Sequence, residues 1–132
     1  MRALRFEKTG SLDELSIREL PMPTPAAGEV LVQVKAAAVN PSDVKNVQGK
    51  MHETSVPRTP GRDFAGVVAG GLDELSGQSV FGSGGNLGFS RDGSHAEYVA
   101  VPATLSKPIC SVSPSVEREG RRVRNGFFCS RG

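Results

Sequence analysis

The stretch "VLVQVKAAAV" at residues 30–39 constrains the fold more than any other part of the chain. Val30, Val32 and Val34 fall on one face and Gln33 and Lys35 on the other, the period of two that a half-buried strand shows. Such a strand must be paired and covered. Its flanks define where it begins and ends. "PMPTPAAGE" before it is extended backbone, because each proline fixes φ and pushes the preceding residue away from helix. "NPSDVKNVQG" after it places Pro41 near a helix start and Gly49 at its end, which predicts one or two helical turns over 40–49.

The rest of the body has the same character. "RALRFEK" (2–8), "LSIREL" (15–20), "DFAGVVAG" (63–70), "QSVFG" (78–82) and "SHAEYVAVP" (94–102) read as strands separated by turn signals, an all-β pattern. "LDELS" occurs at 12–16 and 72–76, each time within two residues of a glycine; two copies of a turn do not make a repeat architecture. With no Trp and one Tyr, the core must rest on Val, Leu, Ala and a few Phe. A chain of 132 residues suits one domain.

Charge is unevenly divided. Residues 1–114 carry eleven Lys and Arg against twelve Asp and Glu, whereas residues 115–132 carry five Arg against two Glu. A weakly acidic body excludes the basic footprint of nucleic-acid binding. The start of the chain lacks the apolar core of a signal peptide, and no stretch approaches a membrane span, so a soluble, cytoplasmic protein is expected. Cys110 and Cys129 match neither a disulfide framework nor a zinc ligand set, as suits a reducing compartment.

"VFGSGGNLGFS" (80–90) raises the question of a nucleotide cradle. A dinucleotide fingerprint needs G-x-G-x-x-G between a strand and a helix. Gly82 and Gly84 fit, but Leu87 occupies the third position, and "FSRDGSHAEYV" continues as turn and strand. A connecting loop is expected, with no cofactor held by this chain. His52 and His95 each stand alone and are expected to be solvated.

Four motifs in order, "GEVLVQVKAAAVNPSDVK", "PGRDFAGVV", "SVFG" and "GSHAEYVAVP", resemble the N-terminal GroES-like domain of medium-chain dehydrogenases/reductases, in particular the zinc-independent quinone oxidoreductase branch of the alcohol dehydrogenase superfamily. The resemblance covers residues 1–108. It implies a mainly β fold, a distorted β-barrel with one or two short helices, which lines the substrate side of a cleft while a following Rossmann domain holds NADPH. Zinc-dependent relatives have Cys and His where this chain has Asn40 and Arg62; an amide is a weak zinc ligand and a guanidinium is none, so no metal is expected. The resemblance assigns the site to Asn40, which would donate through its amide to substrate or nicotinamide, and to Lys45, which would supply positive charge or a proton to a developing enolate. The implied substrate is a small-molecule quinone or conjugated enone. Structural roles are open for the same region: Asp43 and Asp63 as helix cap and as partner of Arg62, and Lys45 as a solvated surface residue.

Past "VPATLSKP" the chain departs from the family. Residues 109–132 are expected to form a disordered tail, with a composition that suggests an altered frame, intron read-through or a mispredicted gene end. On this reading the chain holds one wall of an active site and is inactive alone. The competing reading is a non-catalytic β-barrel remnant or interaction module, self-associating through the surface that a second domain would cover.

Overall fold

The computed structural model describes residues 1–109. The expected tail, with both cysteines, lies outside the described residues apart from Ile109, whose N–H donates to the Ser79 carbonyl at 2.9 Å.

β1 (Arg2–Arg5) and β2 (Ser16–Glu19) form an antiparallel pair. β3 (Glu29–Ala36), β4 (Asp63–Gly70), β5 (Ser79–Ser83), β6 (Tyr98–Pro102) and β7 (Lys107–Pro108) form one antiparallel sheet in the order β6-β3-β4-β5-β7. α1 (Pro41–Val47) is the single described α-helix. The fold is therefore mainly β with one short helix, and its barrel is open. β1 meets the larger sheet's connections through the isolated bridge of Ala3 to Ala96 and the ion pairs of Arg2 with Glu97 and Arg5 with Asp92, and just past it Phe6 bridges Arg58.

The alternation in β3 decides the core. Val30 and Val32 are fully buried and pack with Phe64 and Val68 of β4, Val80 of β5, Val99 and Val101 of β6, and Leu87 from the loop after β5. Each such side chain contributes about 1.5–3 kcal/mol by leaving water. Without tryptophan, the small β-branched residues fill this space by number.

Four strands are shorter than the sequence predicts: β2 loses Leu15 and Leu20 at its ends, and the other three are cut for local reasons. β1 ends at Arg5 because Phe6 turns to bridge Arg58. β3 ends at Ala36, and Ala37–Val39 run exposed toward the helix. β6 begins only at Tyr98: upstream, the N–H groups of Gly93, Ser94 and His95 donate to Thr59, Gly61 and Pro60, so that segment is tied to the loop ahead of β4. Both "LDELS" copies form a one-turn 3-10 helix, Leu12–Glu14 and Asp73–Leu75.

The glycine-rich stretch folds as the expected connection between β5 and β6. Gly84, Gly85 and Gly88 take positive φ values of 90°, 59° and 79°, and no helix follows. Leu87 is fully buried and Phe89 is 6% exposed, so the loop turns inward and plugs the core. The buried Asn46 of α1 donates to the Gly88 carbonyl at 2.5 Å and accepts from the Thr54 hydroxyl, which fastens the helix to the loop.

Candidate functional site

Asn40 sits at the junction between β3 and α1. Its extended backbone, with φ −103° and ψ 156°, precedes Pro41 at the first helical position, and its carbonyl accepts the Asp43 N–H at 3.0 Å. Asp43 returns the bond: its Oδ2 accepts the Asn40 N–H at 2.8 Å. The expected capping role of Asp43 is thus present; its Oδ1 is buried with no partner among the described residues.

The Asn40 side chain reaches across to the sheet. Its Nδ2 donates to Oδ2 of Asp63 at 2.6 Å, and the Ser83 hydroxyl donates to Oδ1 of the same carboxylate. The register explains the meeting, because Asp63 opens β4 directly opposite Ser83, which closes β5. Below them the Ser94 hydroxyl donates to the Asp63 carbonyl at 2.6 Å. A carboxylate accepts only, so Asn40 must turn its nitrogen toward Asp63. The amide then keeps one N–H and its oxygen for another molecule.

The Ser83 hydroxyl, then the Asn40 amide, and finally the nearby charge of Arg62 hold the Asp63 carboxyl below its ordinary value of 3.8, outweighing the opposite effect of burial. A depressed folded-state value means that ionised Asp63 stabilises the fold above the ordinary value, and that this contribution is lost as pH falls through the lower, folded value. Asp63→Asn is expected to be less stable than the unsubstituted chain near neutral pH, with the difference shrinking as the solution is acidified below that range. Urea midpoints across an acid series measure it; a difference independent of pH would remove the ionised carboxylate from the account.

Arg62 does not pair with Asp63, contrary to expectation. Its guanidinium lies over the Phe89 ring at 4.8 Å from the centroid, and its Nη2 donates to the Gly85 carbonyl at 3.2 Å. Together with Lys50, Met51, His52, Glu53, Gly85 and Phe89 it lines a cleft of 340 Å³. His52 is exposed there, whereas His95 is half-buried, its Nε2 at 3.0 Å from the Ala38 carbonyl, and is not simply solvated.

Lys45 is exposed on α1, on the side away from the buried Asp43, Asn46 and Val47, and its side chain makes no hydrogen bond or ion pair with the described residues. The sequence pointed to Asn40 but not to Ser83, Phe89 or Gly85. Ser83 could be reached only by knowing the β4–β5 register, and Phe89 only by knowing that the glycine loop folds inward.

Among the described residues no group of three or more His, Cys, Asp or Glu could hold a metal ion. Nor do they show the strand, glycine loop, helix order of a dinucleotide cradle, because Leu87 and Phe89 turn inward from the glycine loop and the next element in the chain is the strand β6. No described helix is long and apolar enough to cross a membrane.

A family model described as "Alcohol dehydrogenase GroES-like domain" matches residues 26–111. A zinc-type alcohol dehydrogenase-like protein of Schizosaccharomyces pombe is 47% identical over 103 residues, covering 77% of this chain and 31% of that protein. An NADPH-dependent alkenal/one oxidoreductase of Arabidopsis thaliana is 35% identical over 115 residues, covering 80% and 30%. The solved structure of a thermostable alcohol dehydrogenase from Pyrobaculum aerophilum superposes with a TM-score of 0.76 at 32% identity, covering 85% of this chain and 41% of that one. The chain thus spans about a third of the length of the two curated relatives.

Proposed function

The chain belongs to the alcohol dehydrogenase GroES-like domain family, and from that premise we propose that it is the substrate-side domain of an NADPH-dependent oxidoreductase that reduces conjugated enones or quinones without zinc. The observation that carries this reading is the Asn40 amide, fixed by Asp63 so that one N–H and the carbonyl oxygen remain for a ligand.

Reduction of a conjugated carbonyl compound places negative charge on its oxygen in the transition state, and a pre-oriented donor stabilises it without reorganising. Asn40 supplies that donor. Lys45, exposed on the last turn of α1, is the residue we assign to bring positive charge or a proton to the same oxygen. The enone class is supported by the name of the Arabidopsis relative, an alkenal/one oxidoreductase, and by that of a tomato relative, a 2-methylene-furan-3-one reductase. The absence of zinc is supported by Asn40 and Arg62 at the two positions where zinc-dependent relatives carry Cys and His. NADPH belongs to a separate cofactor domain in this reading. The described residues hold no cradle for it, and the chain is inactive without that domain. A cytoplasmic compartment remains part of the reading.

Asn40→Ala, made in this chain joined to the cofactor domain of the Arabidopsis relative, is expected to lower kcat/KM for an enone by ~10-fold or more. Asn40→Asp would retain the shape but place two carboxylates side by side, and is expected to be at least as impaired. Unchanged values in both would take Asn40 out of the site.

A second reading, a non-catalytic module that binds itself or a partner, is favoured by exposed apolar side chains, Ile17 at 72% and Val39 at 74% exposure above all. Sedimentation of the chain separates the two readings. A concentration-dependent dimer with no enone reduction in the joined protein would favour the module.

A further inference from the structure

Every other described arginine has a carboxylate partner. Arg5 and Arg58 share Asp92, Arg91 pairs with Glu29, Arg2 with Glu97 and Arg18 with Glu7. Arg62 has none among the described residues. Of the half-buried arginines it is the exception, because Arg91 pairs with Glu29 and Arg5 and Arg58 each reach Asp92, whereas Arg62 touches no described carboxylate.

A guanidinium withdrawn from water and left unpaired is costly unless something completes it. Arg62 is only part-completed. Its Nη2 donates to the Gly85 carbonyl, no described residue accepts from Nη1, and its Nε is buried without a partner. The Phe89 ring beneath it, its centroid 4.8 Å from the guanidinium carbon, is itself buried. Arg62 lies on the wall of the 340 Å³ cleft, where Lys50 adds positive charge and Glu53 opposes it.

We propose that this cleft binds a carboxylate, so that the small molecule taken by the domain carries an anionic group at the end that meets Arg62. This deepens the reading of the chain as a substrate-side domain and rests on it for the identity of the ligand as substrate. A planar guanidinium stacked on an aromatic face presents its donors in the geometry of a carboxylate, and a lysine in that position would offer only a point charge. Asn40 does not line the cleft; it is linked to this region through its bond to Asp63, the neighbour of Arg62 in the chain.

The test is a binding titration of the full 132-residue chain, labelled with nitrogen-15, with trans-cinnamate as the anionic probe, trans-cinnamamide as its neutral counterpart and inorganic phosphate as competitor. The expected result is saturable movement of the Gly85 and Phe89 amide signals and of the Arg62 Nε–H by cinnamate. Cinnamamide is expected to bind ~10-fold or more weakly, as the loss of a charge-assisted pair implies. Arg62→Gln should weaken cinnamate binding to the same degree, and Arg62→Lys should recover part of it while the dispersed amide spectrum shows the fold intact. Equal binding of the amide, undiminished binding by a folded Arg62→Gln chain, or displacement of cinnamate by phosphate at a lower concentration than cinnamate itself requires would each overturn the carboxylate assignment. Failure of the unsubstituted chain to bind cinnamate overturns the anion proposal alone. Cinnamate binding without enone reduction in the joined protein overturns the reductase reading alone.

Discussion

Gly66→Ala is expected to cost about 4 kcal/mol or more, a large part of the stability of a domain this size. The backbone at Gly66 is not left-handed, so the cost is purely one of space. A Cβ there would stand 2.0 Å from the Gln33 carbonyl oxygen and 2.9 Å from a methyl of Val32. The cause lies in the pairing of β3 with β4. Val34 faces Gly66 and Ala36 faces Ala65, so Lys35 is an extra residue that bends β3 toward its neighbour. Backbone cannot yield as a flexible side chain can, and β4 is the middle strand of the larger sheet. Gly77→Ala is the useful contrast, because no atom lies within 4 Å of its Cβ and only its φ of +80° opposes the change. It should cost about 1 kcal/mol. Urea denaturation of both variants measures the difference; near-equal costs would mean that β3 and β4 are not packed as closely as described here.

Leu87→Ala is expected to destabilise the fold by about 3 kcal/mol, within the range for emptying a fully buried leucine site. Leu87 belongs to the loop whose glycines raise the question of a phosphate cradle and whose flanks predict a connecting loop instead. In the fold it packs with Val30, Val32 and Phe64, and its neighbour Phe89 supports Arg62. The urea midpoint should fall with little change in the denaturant slope, as for a cavity in an otherwise intact core. A surface loop built to hold a ligand would tolerate the same change with a loss of about 0.5 kcal/mol or less. That outcome would reopen the question of a cradle.

These two positions show where the sequence speaks and where it is silent. "DFAGVVAG" could be assigned as β4 from end to end, because its apolar content and flanking turn signals need no knowledge of its partners. The buried face of β3 followed from period two, and α1 from the Pro41 and Gly49 signals. Asn40 was legible through a motif. What joins Asn40 to Asp63 and Ser83 was not, because the meeting depends on the register between β4 and β5. Arg62 and Asp63 are adjacent in the chain, which suggested an ion pair. Gly61, at φ +107°, turns the backbone just before them, and the guanidinium goes to Phe89 instead. Likewise His95 could not be matched with Ala38, since the two are 57 residues apart and meet only once β3 and β6 have paired. Local pattern fixes elements; contacts between loops come from the assembled sheet.

The central claim is that this domain provides the acceptor side of an NADPH-dependent reduction and needs a cofactor domain to act. The most direct measurement is enone-dependent NADPH oxidation by the chain joined to the Arabidopsis relative's cofactor domain, beside the chain alone. The account predicts oxidation by the joined protein only when enone is present, and none by the chain alone. A joined protein that folds and binds NADPH yet leaves the enone unreduced would contradict it, as would turnover by the chain alone.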